Sequence, residues 1–176
     1  MDRNAVLRLA GLAAIVGGLI DLFGPLVYPH MAQQPKLITY VLIDVLLLLG
    51  LFGLLSATWR STGWLGLAGF VVAVTGVLLV RSSATNVLGP STDAIAAAVW
   101  AIGMAIIGVA QLRPRTPFRL AGCLWMLTVI IPLVAMLFQD HRASRSATAH
   151  ALFALGFMVA GAQLVRRPQS ISGDPA

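Results

Sequence analysis

The stretch Leu37–Arg60 constrains the fold more than any other part of the chain. It reads LITYVLIDVLLLLGLFGLLSATWR, an apolar run broken by one carboxylate, Asp44, and stopped by Trp59 and Arg60. An α-helix of about twenty such residues covers the ~30 Å hydrocarbon layer of a bilayer at ~1.5 Å per residue. Composition excludes a soluble home for it. Hydrophobic residues make up 59% of the 176 residues and charged ones 10%, against about 25% charged in soluble domains. Lipid must therefore cover the apolar surface.

The charges that remain are mostly arginine. Lys36 is the single lysine, glutamate is absent, and the formal net charge is +6. In a soluble protein that balance would point to nucleic acid. Here the arginines stand at the ends of apolar segments and no basic cluster is interleaved with aromatics, so they are read as orientation signals and no nucleic-acid partner is expected. Cys123 is the only cysteine and lies inside an apolar run, so an intrachain disulfide is excluded and the cysteine carries no signal of redox compartment. The first apolar segment follows Arg3 and Arg8 as a signal peptide would. It is too long for such a core and no A-x-A-like site closes it, so it reads as an uncleaved spanning helix.

The hydropathy pattern predicts an all-α polytopic membrane protein of six transmembrane helices arranged as three helical hairpins. The segments are 5–27, 37–60, 64–80, 93–112, 118–138 and 148–165. Pro25 and Pro29 close the first, and Arg60–Gly63 turns the second into the third. Ser82–Thr92 is a polar connection, Arg113–Pro117 breaks the chain with two prolines, and Gln139–Ala147 is a charged loop. Pro132 kinks the fifth segment by removing a backbone hydrogen bond. Residues 1–166 form one six-helix domain, and 167–176 a short polar cytoplasmic tail.

Six spans put both termini on one side. That side carries Arg3, Arg8, Arg60, Arg113, Arg115, Arg119, Arg166 and Arg167, and the other carries Lys36, Arg81, Arg142 and Arg145. The excess places both termini in the cytoplasm of a cell (plasma) membrane protein. A repeat underlies the layout. Gly50, Gly103 and Gly156 stand 53 residues apart, as do Arg60, Arg113 and Arg166, and on that offset Asp44 corresponds to Ala97 and to His150. Leu67-Ala68-Gly69 and Leu120-Ala121-Gly122 keep the same spacing. Evenly spaced hairpins under one topology rule would produce part of this without duplication.

Ionisable groups within a span are costly and mark candidate sites. Asp44 and His150 each lie roughly 24 Å along their helices from the arginine at the cytoplasmic end, and Asp21 about 20 Å from Arg8. Arg81 and Asp93 belong near the same outer boundary. The expected site is a polar nest of Asp44, His150, Asp21, Arg81 and Asp93, ligand-binding or proton-linked, with Asp44 paired to His150. The competing reading gives Asp21 and Arg81 a structural ion pair and makes Asp93 a helix cap. Gly66, Gly69, Gly103, Gly108, Gly156 and Gly161 suit helix packing.

No cofactor or metal is expected. The chain lacks H-E-x-x-H, paired cysteines and two histidines on one helical face, and His30 and His141 belong to loops. Three functions fit. The first is an outward-facing polar pocket that binds or transports a small or amphipathic ligand. The second is an accessory or scaffold subunit whose partner is another membrane protein or a second copy. The third is an intramembrane enzyme using an Asp/His pair at the outer face. No nucleophile or phosphate-binding motif supports the last.

The arginine bias sets a topology test. A cysteine probe at Ser144 should be labelled from outside the cell and one at Thr116 should not. The reverse pattern would overturn the orientation.

Overall fold

The computed structural model describes residues 2–82, 92–113, 116–137 and 142–166, and every regular element among them is helical. The helices are α1 (Arg3–Val27), α2 (Gln33–Ser82), α3 (Thr92–Gln111), α4 (Arg119–Leu137) and α5 (Arg142–Arg166), with a single 3₁₀ turn, Tyr28–His30, after α1. Among the described residues, four helical runs are long and apolar enough to cross a membrane: Arg3–His30, Gln33–Val80, Ala94–Gln111 and Ala147–Arg166. Arg119–Val134 is a shorter apolar helix. Leu26, Ile38, Trp64, Leu78 and Leu133 are among the many large apolar side chains left exposed. This is the surface of a membrane protein, apolar outside as well as inside.

Local chemistry accounts for the ends. Asp2 caps α1 by accepting from the Asn4 N–H at 3.3 Å, which occupies one of the unpaired donors of the first turn. Pro25 lies inside α1 rather than ending it. The expected four-residue turn Arg60–Gly63 is in fact one residue. Helical geometry runs through Arg60 to Thr62, breaks at Gly63 (φ 56°, ψ −146°) and resumes at Trp64. No neighbour lies within 4 Å of where a Gly63 Cβ would stand. Backbone conformation, not space, requires glycine there. Beyond the break the chain doubles back. The Phe52 and Phe70 rings meet at 4.9 Å, whereas a straight helix would hold them roughly 27 Å apart. We call residues 33–62 and 64–82 the first and second limbs of α2. α5 begins at Arg142, so it takes up part of the expected loop Gln139–Ala147.

Small residues set the packing. A Cβ on Gly50 would lie 2.6 Å from the Ala14 Cβ, joining the first limb to α1. Gly103 meets Ala73 and Gly76 meets Trp100, joining the second limb to α3. Gly108 and Gly122 join α3 to α4, Gly156 and Trp125 join α4 to α5, and Gly11 and Gly161 join α5 back to α1. The helices thus close a ring. Without a hydrophobic force between lipid-immersed helices, close backbone approach is what makes dispersion contacts dense enough to hold them. Leu47, Leu51, Met104, Trp125, Phe157 and Leu164 fill the interior and are almost wholly buried.

A polar clasp closes the Gly63 end of the bundle. The Gln111 Nε2 donates to Thr58 Oγ1 at 3.1 Å, and the Arg113 guanidinium donates to the Thr62 carbonyl at 3.1 Å. Thr116 is only 5% exposed, and its hydroxyl donates to the carbonyls of Gln111 and Arg113. It is therefore a poor labelling probe, and exposed Arg119 takes its place in the topology test.

The ring makes a stability prediction. A Cβ on Gly108 would stand 2.7 Å from the Gly122 carbonyl oxygen. Gly108→Val should cost about 1–3 kcal/mol in detergent unfolding by forcing α3 from α4. Leu133→Ala, at a side chain 59% exposed, should stay within about 0.5 kcal/mol. Equal losses would mean that glycine contacts do not hold the ring.

Candidate functional site

Antiparallel packing of α1 on α5 builds the site. Gly11 faces Gly161, and Gly18 faces Ala154 and Met158. Three residues on from Gly18 and three back from Ala154, this register reaches Asp21 and Ala151, beside His150. The His150 Nε2 lies 2.9 Å from the Asp21 main-chain oxygen and 3.4 Å from Asp21 Oδ1. The sequence pairs His150 with Asp44; the structure seats it on Asp21.

Proline explains why a main-chain oxygen is available in mid-helix. The donor for the Asp21 carbonyl should be the N–H four residues on, and that residue is Pro25. A carbonyl orphaned in a low-dielectric interior is costly until a donor reaches it. His150 supplies one across the helix interface. The bond assigns the proton of the neutral imidazole to Nε2 and leaves Nδ1 as an acceptor.

The pair opens on a cavity of about 320 Å³. Val80 of α2, Ala97, Trp100 and Ala101 of α3, Thr128 of α4, and Ala149 and Phe153 of α5 complete its wall. Trp100 and Phe153 meet edge to face at 4.9 Å. The Trp100 Nε1 is buried without a hydrogen-bond partner. Thr128 repeats the proline motif. Its carbonyl loses the fourth-residue donor to Pro132, while its hydroxyl donates to the Trp125 carbonyl at 2.6 Å. By contrast, the space beside Thr58, Thr62 and Gln111 at the Gly63 end is about 10 Å³, too small for an organic ligand.

The other expected site residues fall as follows. Asp44 is 7% exposed, within electrostatic range of Asp21 and engaged in an interaction of its own. The backbone of Arg81 is in the last turn of α2 and that of Asp93 in the first turn of α3; their side chains lie outside the described residues. Thr92, not Asp93, opens α3. His30 is exposed, and His141 lies outside the described residues. Among the described residues no three His, Cys, Asp or Glu side chains gather as a metal set. Sequence reasoning missed Thr128 and Trp100. The legible signal was a polar residue four positions before a proline, present at Asp21–Pro25 and again at Thr128–Pro132.

Fold and site together define an all-helical membrane protein with a cavity flanked by an acid–imidazole contact. Comparison with protein-family models, curated proteins and solved structures found no match.

The proline account predicts a coupling. His150→Ala should cost about 1–3 kcal/mol of stability, because it strands the Asp21 carbonyl. In a Pro25→Ala background, where the substituted alanine restores the helical N–H donor, the same change at His150 should cost about 1 kcal/mol less. Additive losses in a detergent-unfolding cycle would show that His150 does not serve that carbonyl.

Proposed function

We propose that the chain crosses the plasma membrane six times, as three helical hairpins with both termini in the cytoplasm, and binds or transports a small amphipathic ligand in the cavity beside Asp21 and His150. The carrying observation is the cavity of about 320 Å³ itself. It is large enough for a compact organic molecule, and its mostly apolar wall carries a few polar groups, Asp21, His150 and Thr128 among them.

Geometry supports the six crossings. As one rod the 50 residues of α2 would reach roughly 75 Å, more than twice the ~30 Å apolar layer. Divided at Gly63, the two limbs are each of spanning length. Residue pairings run in opposite directions between α1 and the first limb and between the second limb and α3, as they do between α5 and α1. α4, with 19 residues, is of spanning length at about 28 Å. This alternation closes consistently around a ring of six.

The offset of 53 residues is also compatible with the packing. Gly50, Gly103 and Gly156 each meet the segment that precedes their own. Gly108 meets the following segment at Gly122, and Gly161 meets α1 at Gly11. Equivalent glycines in equivalent interfaces favour a threefold duplication over a coincidence of helix lengths.

The cavity reading is tested with a neutral probe, 1-naphthalenemethanol, and protein in phosphatidylcholine nanodiscs. Saturable 1:1 binding by equilibrium dialysis is expected above the partition into empty discs. Ala101→Phe, which fills the wall, should abolish it without altering the size-exclusion profile. Unsaturable partition alone, unchanged in Ala101→Phe, would remove the binding function and leave the subunit reading in front.

A further inference from the structure

Resting on that ligand-binding reading, we propose that the cavity selects a lipophilic amine in its protonated form: an ammonium on a compact, largely apolar body. Among the described residues, the free hydrogen-bonding valences at the wall are mainly acceptors. The His150 Nε2 hydrogen is spent on the Asp21 carbonyl, and the Thr128 hydroxyl hydrogen on the Trp125 carbonyl. What remains for a ligand is the Asp21 carboxylate, the remaining lone pairs of the Thr128 hydroxyl, and His150 Nδ1. An ammonium brings hydrogen-bond donors and no acceptor, which complements that set.

Charge and ring geometry favour the same class. The Asp21 carboxylate is 14% exposed and stands 3.4 Å from an imidazole nitrogen whose closer contact, at 2.9 Å, is the main chain. A neutral imidazole offers that carboxylate no full counter-charge, and Asp44, which has an interaction of its own, is a second acidic group within electrostatic range. An anion would meet repulsion here and a neutral body would leave the carboxylate unanswered. Trp100 and Phe153 also line the cavity, and aromatic rings attract a desolvated cation while accommodating an apolar body. The buried Trp100 N–H without a partner is the donor that stands apart from this set. Being buried, it does not decide the charge of the ligand.

The test compares three probes of one shape in the same nanodiscs: protonated 1-naphthylmethylamine, neutral 1-naphthalenemethanol and anionic 1-naphthoate. Net-neutral phosphatidylcholine keeps the lipid surface from sorting them, and empty discs supply the blank. The amine should bind at least about tenfold more tightly than the alcohol, and the naphthoate more weakly than either. In Asp21→Asn the amine should fall to the level of the alcohol, while the alcohol is unchanged. Alcohol or naphthoate binding as tightly as the amine in the natural protein overturns the cation inference, whether or not Asp21→Asn folds. If that binding is lost in Ala101→Phe, the cavity reading survives it. No saturable binding of any probe overturns both.

Discussion

Close approach of helix backbones at glycine holds this molecule together, and its other features follow from where that approach occurs. Helices in lipid gain nothing from excluding water, so their association rests on packing density. At Gly108–Gly122 and Gly11–Gly161 two backbones meet with no side chain between them. On α3 the glycines at 103 and 108 face neighbours, whereas Ala97, Trp100 and Ala101, about one turn nearer the Tyr28 end, face the cavity. The bundle is thus clamped along its glycines and toward Gly63, and open where the acid and imidazole lie.

Backbone hydrogen bonding is the second constraint. In water a proline in mid-helix frees a carbonyl that solvent can satisfy; in a membrane interior the protein must answer it. Pro25 does this at Asp21 and Pro132 at Thr128, and both residues line the same cavity. A defect in helical pairing becomes a polar group available for recognition. His150 turns one of these defects into a tertiary contact, and its two ring nitrogens acquire different roles.

The two ends of the bundle differ for the same reason. At the Gly63 end polar groups are largely spent on one another: Gln111 on Thr58, Arg113 on the Ser61 and Thr62 carbonyls, and Thr116 on the carbonyls of Gln111 and Arg113. Little space remains there. Near the Tyr28 end, polar side chains border open volume and large apolar rings, an arrangement with room for a guest.

By itself the sequence determined the helical class, the membrane setting, the approximate helix bounds and the glycines that pack, because these depend on local hydropathy, length and residue size. It also placed Asp21, Asp44 and His150 at similar depth, since helix rise is constant. Tertiary structure alone decided that His150 meets Asp21, because partner choice depends on which helices are neighbours and on their register. The α1–α5 contact is between the first and last helices of the ring, and no local pattern announces it. The cavity lined by all five helices is likewise tertiary, a volume created where side chains of separate helices fail to meet. The turn over Arg60–Gly63 was legible from its polar residues and glycine, and only its contraction to a single residue was not.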